Sequence, residues 1–193
     1  MKETRVPTVL LAEALWRRLD QPSFDHCRLV QLPDAFIIGG VLLTVSDDRP
    51  LQVHYNVFCG MDWTTRAVHV QTVQGDATRR LELRRDPSGE WWRDDELLPA
   101  FDGLTDIDLA FTPATNTLPI RRLALKTGEA ASTDAVWVRF PELTIERLPQ
   151  RYAHIEDYTY RYESRGGSFT ADLIVDDQGV VITYGDIWER VVQ

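Results

Sequence analysis

Strict alternation of apolar and polar residues runs from Leu51 to Val57, in the order Leu-Gln-Val-His-Tyr-Asn-Val. Successive side chains of a β-strand point to opposite faces, so this order places the apolar residues on one face and the polar residues on the other. A strand of that kind has one face on a core and one in water. The stretch therefore predicts a half-buried strand.

The same two-residue period, or a short apolar run between turn residues, recurs along the chain. Together with residues 51–57, the predicted strands are residues 37–45, 67–73, 81–85, 104–111, 118–126, 136–140, 143–148, 158–162, 169–175 and 180–184. The loops between them are of hairpin length and rich in Gly, Pro and Asp, which favours antiparallel pairing and leaves no room for the helical crossovers of a parallel sheet. This spacing predicts a roll, a barrel or a sandwich.

The first twenty residues are ambiguous. Leu11, Leu15 and Leu19 are spaced as on one face of a helix, and Thr8 would serve as its N-cap. A strand ending near Leu19 fits the same residues. We expect a short helix that begins near Thr8.

Composition limits the kind of protein. The 193 residues carry a net charge of −9 and are 44% hydrophobic, with 6 Trp, 6 Tyr and 7 Phe. This length predicts a single domain over residues 1–193, and such a supply of large apolar side chains argues against intrinsic disorder. The negative charge argues against a nucleic-acid partner and against an anionic membrane surface.

The chain contains no apolar stretch long enough to insert stably into a membrane. The apolar run of residues 9–12 ends at Glu13, and Glu3 lies where a leader peptide would be basic. We therefore expect a cytoplasmic protein. Cys27 and Cys59 are expected to be packed thiols, because two isolated cysteines make no disulfide framework and no zinc motif.

Two carboxylates, Asp106 and Asp108, fall on one face of a predicted strand. Such a pair serves as an acid/base couple, as a metal cradle or, more commonly, as an ion-paired strand face. The next segment, residues 112–119, holds Thr115 and Asn116 between two prolines. It suits either a rigid corner or a loop that recognises a polyhydroxylated ligand.

Arg121 and Arg122 follow on the strand predicted at 118–126, so one of them must point inward. Arg121 shares a face with Leu123 and Leu125, and we expect Arg121→Ala to cost more stability than Arg122→Ala. Arg122 is expected to pair with Asp106 or its neighbouring aspartate, or to hold an anionic or hydroxyl-rich headgroup.

Aromatic residues are the remaining candidates for binding. Tyr158, Tyr160 and Tyr162 fall on one face of a predicted strand, and Trp63 and Trp92 belong to the tryptophans spread along the chain. Rings with a polar tip pack in a core or stack against a sugar or an acyl chain, and the spacing leaves both roles open.

The histidines form no catalytic or metal-binding motif, and the chain has neither a nucleophile elbow nor a phosphate-binding loop. Catalysis is therefore unsupported, and we expect no cofactor and no metal. The alternative is an enzyme that uses Asp106 or Asp108 with His54 or His69.

Taken together, these segments resemble a known bacterial family, the glycolipid-binding proteins. The most specific stretch runs from Asp106 to Leu123, with the sequence Asp-Ile-Asp-Leu-Ala-Phe-Thr-Pro-Ala-Thr-Asn-Thr-Leu-Pro-Ile-Arg-Arg-Leu. Supporting matches are Trp-Arg-Arg-Leu at 16–19, Asp-Trp-Thr-Thr-Arg at 62–66, Trp-Trp at 91–92 and Val-Asp-Asp-Gln-Gly-Val-Val-Ile-Thr-Tyr at 175–184. The resemblance covers nearly the whole chain from Trp16 onward.

The resemblance implies a mainly β fold, an antiparallel sheet curled into a spiral β-roll or half-open barrel, similar to lipoprotein carriers. Our leading hypothesis is therefore a non-catalytic protein that binds an amphiphile, such as a glycolipid, in an apolar groove. The headgroup would meet residues at the rim, namely Trp63, Arg66, Trp92, Asp106, Asp108, Thr115, Asn116, Arg121, Arg122 and Tyr160. The other alternative is a structural or partner-binding module with a filled core.

Overall fold

The computed structural model describes residues 7–192. Glu3, which bears on the leader peptide, lies outside them. Fifteen strands and one α-helix lie within the described residues. The strands are β1 (Val9–Arg18), β2 (Phe24–Gln31), β3 (Ala35–Ser46), β4 (Arg49–Gly60), β5 (Thr65–Gln74), β6 (Ala77–Arg85), β7 (Trp91–Arg93), β8 (Glu96–Leu97), β9 (Asp106–Leu109), β10 (Ala130–Val138), β11 (Ile145–Glu156), β12 (Thr159–Ser164), β13 (Phe169–Val175), β14 (Val181–Tyr184) and β15 (Trp188–Val192), and the helix is α1 (Thr117–Leu123).

All fifteen strands form one sheet, in which β1 and β15 lie side by side near the centre. The order across the sheet is β8-β7-β6-β5-β4-β3-β2-β1-β15-β14-β13-β12-β11-β10-β9. The chain thus runs by hairpins from β1 to one edge, crosses to the other edge, and returns by hairpins to β15 beside β1. The prediction of a mainly antiparallel β protein is confirmed.

The sheet is strongly curled, and hydrogen bonds to backbone carbonyls join its two ends. The backbone N–H of Thr65 donates to Thr105 O at 2.9 Å. Leu104 O accepts from Arg85 Nε at 2.8 Å and from Trp91 Nε1 at 2.9 Å. The edge strands β8 and β9 do not pair with each other in the described residues. The result is an open, curled sheet, as the resemblance implied.

The expected helix near Thr8 is wrong. Residues 9–18 form β1, which pairs with β2 on one side and β15 on the other. Ala14 and Trp16 are buried while Glu13 and Arg17 are exposed, which is the two-residue period of a strand. Hydrogen bonds along both edges outweigh the weak helical preference of the leucine spacing.

The strand expected at residues 118–126 is also wrong, because residues 117–123 form α1. This helix lies in the connection between β9 and β10, which pair in parallel, so one helical crossover does occur. Pro119 lies in the first turn of α1, where its missing N–H breaks no helical hydrogen bond. Every residue from Phe111 to Ile120 is buried, so no amphipathic period distinguished helix from strand.

The buried core lies on the concave face of the sheet. Trp16, Tyr55 and Val57 are at most 1% exposed there. Cys27 and Cys59 point into the same core as free thiols, as expected. The segment 111–120, called here the inner segment, fills much of the space inside the curl.

Candidate functional site

The inner segment is not a rim loop, which corrects the expectation for Thr115 and Asn116. The Thr115 hydroxyl accepts the backbone N–H of Leu109 at 3.2 Å. Asn116 Oδ1 accepts the Tyr152 hydroxyl at 2.9 Å, and Asn116 Nδ2 donates to Pro113 O at 3.1 Å. Buried polar groups must be paired in this way, so these bonds hold the segment inside the sheet.

Asp106 belongs to a buried ion pair. Arg122 reaches it from α1 with two parallel bonds, Nε to Oδ1 at 3.0 Å and Nη2 to Oδ2 at 2.5 Å. The Thr133 hydroxyl donates to Oδ2 at 2.8 Å. The predicted pairing of Arg122 with one of the aspartates is confirmed, although it joins a helix to a strand and not two strands of a hairpin.

Arg122 is thus the inward arginine, contrary to the expectation for Arg121. The guanidinium of Arg121 lies 5.0 Å from the ring centre of Trp63, and its Nη1 donates to Asp177 O at 3.4 Å. Side chains on a helix leave the axis about 100° apart, whereas successive strand residues alternate. Because residues 118–123 were predicted to lie in a strand and form a helix instead, the prediction assigned the inward position to Arg121, whereas Arg122 holds it.

A cavity of about 340 Å³ opens between the inner segment and the strands of the C-terminal half of the sheet. We call it the Tyr162 cavity. It is lined by Arg18, Asp108, Ala110, Thr112, Asn116, Trp137, Leu148, Tyr162, Ser164, Arg165, Phe169, Tyr184, Ile187 and Trp188. Aromatic rings and hydrogen-bonding groups both face this space. Its volume is within the range of small-molecule sites.

Asp108 lies in the Tyr162 cavity, and no cationic side chain in residues 7–192 pairs with it. Gln150 Nε2 donates to its Oδ2 at 2.6 Å and to the Tyr162 hydroxyl oxygen at 3.0 Å. Burial raises the pKa of Asp108 to about 6, although the hydrogen bonds from Gln150 and Tyr162 act in the opposite direction. This carboxyl therefore takes up a proton close to pH 6.

Two phenols stand beside that carboxyl. Burial raises the pKa of Tyr162 and of Tyr184 well above the usual value, and the charge of Asp108 acts in the same direction. Both phenols thus remain protonated and able to donate. The hydroxyl of Tyr184 makes no side-chain hydrogen bond within residues 7–192, so it is free to bind a ligand in the cavity.

Tryptophans of the cavity differ from those of the core. In the core, Trp16 Nε1 donates to Val181 O at 2.8 Å and Trp91 Nε1 donates to a backbone carbonyl at 2.9 Å. Trp137 and Trp188 line the Tyr162 cavity, and their indole N–H groups have no acceptor within residues 7–192. Neither nitrogen is among the buried atoms that lack a partner, so both indole N–H groups reach solvent and are available to a ligand.

Thr112 connects the Tyr162 cavity to a second buried carboxyl, which the sequence analysis missed. Its hydroxyl donates to Asp25 Oδ2 at 2.5 Å, and Tyr55 donates to the same oxygen at 2.9 Å. Burial raises the pKa of Asp25 to about 6, against the effect of those two bonds. The period of β2 places Asp25 on the face of Cys27 and Leu29, and an aspartate on an apolar face was the available signal.

A second, more open cleft lies on the other side of α1. We call it the Tyr160 cleft. It measures about 450 Å³ and is lined by Ile120, Arg121, Ala124, Leu125, His154, Asp157, Tyr158, Tyr160, Val175, Asp176, Asp177 and Gly179. The His154 ring stacks on Tyr160 with centres 4.3 Å apart. The structure thus places the predicted site residues Arg121 and Tyr160 here, apart from Asp108 and Asn116.

The three candidate residues in the N-terminal half of the sheet line neither space. Trp63 stacks on Phe36 with ring centres 4.1 Å apart. Arg66 donates to a backbone carbonyl at 3.3 Å, and Trp92 Nε1 donates to Asp86 Oδ2 at 3.3 Å. They are not brought together with Asp108.

The histidines of the enzyme hypothesis lie elsewhere. His54 and His69 are exposed, on the face of β4 and β5 opposite Tyr55, and no histidine from the described part of the chain lines the Tyr162 cavity. Of the three tyrosines expected on one face, Tyr160 and Tyr162 point inward, whereas Tyr158 is 56% exposed in a turn.

Comparison with known proteins identifies the family. A family model with the description "Putative glycolipid-binding" matches residues 13–190. The chain belongs to this family. It is also similar to a DUF1089 family protein from Pseudomonas aeruginosa, whose crystal structure superposes with a TM-score of 0.79 at 35% identity, over 88% of this chain and 92% of that one. No curated protein matches the chain.

These matches confirm the resemblance to this family. In the stretch from Asp106 to Leu123, Asp106 and Arg122 form the buried ion pair, while Asp108 lines the cavity. Within residues 7–192 no helix combines the length and the apolar character needed to cross a bilayer.

Proposed function

We propose that this protein binds the sugar of an amphiphile in the Tyr162 cavity. The observation that carries the proposal is the lining of that cavity, in which aromatic rings face free hydrogen-bonding groups. A sugar presents apolar C–H faces and a rim of hydroxyls, so rings of Trp137 and Tyr184 would cover its faces. The carboxyl of Asp108 would accept from one hydroxyl and the free indole N–H groups would donate to others.

The lipid part of the ligand is proposed to lie outside the curl. The apolar space between Trp16 and Ala114 measures about 10 Å³, which is too small for an acyl chain. The inner segment occupies the interior where the sequence hypothesis placed a groove. An acyl chain would instead leave the cavity past Phe169 and Ile187, two apolar residues of its wall.

The family name supports a glycolipid as the ligand, and the cavity supports recognition through its sugar. The direct test is calorimetric titration with n-octyl β-D-glucoside, below its critical micelle concentration, against 1-octanol, a neutral amphiphile with the same alkyl chain and no sugar. We expect binding of the glucoside and none of 1-octanol. Equal affinity for both would contradict the proposal.

A matched pair of variants tests the location. Trp137 and Trp92 are both half-buried rings with guanidinium groups over them. Arg139 and Arg165 lie over Trp137 at 5.2 Å and 4.7 Å, and Arg84 lies over Trp92 at 5.3 Å. Only the first ring lines the Tyr162 cavity. We expect Trp137→Ala to weaken glucoside binding about tenfold or more, because a stacked ring contributes about 1–3 kcal/mol. Trp92→Ala should leave the affinity unchanged, and an equal loss in both would place the site elsewhere.

Organic extraction of the purified protein, followed by mass spectrometry, would identify a natural ligand. We expect an amphiphile with a sugar headgroup. A sugar-free lipid in the extract would argue against the cavity as the recognition site. The cytoplasmic location stays a prediction, which fractionation of native cells followed by immunoblotting would check.

A further inference from the structure

We propose that the sugar bound in the Tyr162 cavity is anionic and that Arg165 recognises its charge. This inference rests on the proposed function and adds the chemical class of the headgroup: a sugar that carries a carboxylate or a phosphate.

The first argument is the state of the two arginines of the cavity. Arg18 is bonded to Asp20 by Nε at 2.6 Å and by Nη2 at 3.1 Å, so its charge is already neutralised. Arg165 has no carboxylate within 4.0 Å among residues 7–192, although its guanidinium lies 4.7 Å from the ring centre of Trp137. An unpaired guanidinium next to a cavity is suited to bind an oxyanion with two parallel hydrogen bonds.

The second argument is the backbone that holds Arg165. It begins the 3₁₀ turn Arg165–Gly167 between β12 and β13, and its φ is +52°. Side chains other than glycine and asparagine rarely adopt this conformation, which costs free energy. Eight described residues other than glycine have a positive φ, and Arg165 is the one among them that lines the Tyr162 cavity. Strain held at a cavity in this way is consistent with a functional position.

The third argument is the direction of the electrostatic field. Asp108 raises the pKa of Tyr162 while Arg165 lowers it, so the phenol lies within reach of both charges. Arg165 is exposed, whereas Asp108 is half-buried. An anion is therefore disfavoured beside Asp108 and favoured beside Arg165. A sugar would bind with its hydroxyls toward the carboxyl and its anionic group toward the guanidinium.

The test uses two probes that differ in one group, n-octyl β-D-glucuronide and n-octyl β-D-glucoside. The first carries a carboxylate where the second carries a hydroxymethyl group. Calorimetry on the full chain at pH 7.5 should show about a tenfold preference for the glucuronide, because a charge-assisted pair at a partly exposed site has about that value. Free glucuronate, titrated in parallel, separates recognition of the sugar from recognition of a lipid headgroup.

Variants assign the preference to Arg165. Arg165→Gln should reduce it to below about twofold, and Arg165→Lys should keep part of it. The matched control is Arg139→Gln, since Arg139 lies over the same Trp137 ring at 5.2 Å but is paired with Glu146. That control should keep the full preference. Arg165→Asn should lose the preference while melting at the same temperature or higher, because asparagine tolerates the positive φ.

The outcomes separate this inference from the proposed function. Equal binding of both glycosides by the wild-type protein overturns the inference and leaves sugar binding intact. A preference that survives in Arg165→Gln also overturns it. If neither glycoside binds, the proposed function fails and the inference fails with it.

Discussion

Asp106 and Asp108 are two residues apart on β9, yet their surroundings differ in kind. Asp106 is fully buried, and Arg122 and Thr133 bond both of its oxygens. Asp108 accepts a hydrogen bond from the neutral side-chain amide of Gln150 and faces a cavity. A carboxylate with all its bonds made by the protein stabilises the fold, whereas one with bonding capacity left over is available to a ligand. In this Asp-x-Asp motif, Asp106 thus stabilises the fold, whereas Asp108 is proposed to bind a ligand.

The largest expected effect concerns the ion pair. Arg122→Met should lower the free energy of unfolding by about 3 kcal/mol or more, because it leaves Asp106 charged and buried without its cation. Arg121→Ala should cost about 1 kcal/mol or less, since that side chain lies at the surface of the Tyr160 cleft. Urea unfolding monitored by fluorescence would measure both. Equal losses would mean that the pair adds nothing beyond an ordinary surface contact.

The second prediction concerns the pH dependence of the carboxyl in the cavity. The pKa of Asp108 is raised to about 6 in the folded protein. Folding therefore favours the protonated carboxyl, and this contribution to the free energy of unfolding is lost as the pH rises from about 4 through 6. Asp108→Asn does not titrate. The free energy of unfolding of this variant, relative to that of the wild type, should therefore increase by about 2 kcal/mol between pH 4 and pH 7.

Urea titrations at the two pH values would show that gain. Part of the pH dependence should survive in the variant, because Asp25 also has a raised pKa of about 6. A constant difference between variant and wild type from pH 4 to pH 7 would show that Asp108 has an ordinary pKa.

The third prediction compares tryptophans of the two regions. Trp16→Phe should cost about 1.5 kcal/mol, because it removes a fully buried ring edge and the bond to Val181 O. Trp137→Phe should change stability by less than about 0.5 kcal/mol, since its N–H has no protein partner to lose. Thermal unfolding of both would decide. A larger loss at Trp137 would mean that this ring belongs to the core.

Much of the fold could be predicted from the sequence, because its signals are local. The alternation from Leu51 to Val57 is preserved in β4, and Tyr160 and Tyr162 do point inward from β12. Local signals failed where burial is uniform. The inner segment has no exposed face, so residues 118–126 were predicted as a strand, although residues 117–123 form α1.

The candidate site could be predicted only in part, because its residues meet through long-range packing. Asp108 and Asn116 were identified from a motif, yet the cavity also needs Trp137, Tyr184 and Arg165 from three later segments. No pattern of neighbouring residues in the sequence predicts that these side chains meet. The curl of the sheet brings them together, and that curl depends on contacts between residues far apart in the chain.

The smallest expected effect separates two tyrosines. Tyr152→Phe should cost about 1 kcal/mol, because it leaves the buried Asn116 Oδ1 without its donor. Tyr184→Phe should alter the free energy of unfolding by less than about 0.5 kcal/mol, since its hydroxyl bonds no described side chain. In the n-octyl β-D-glucoside titration the order should reverse, with the affinity reduced by Tyr184→Phe and unchanged by Tyr152→Phe. If both variants lose stability and neither loses affinity, the hydroxyl of Tyr184 serves the fold and the division between the two regions is wrong at that residue.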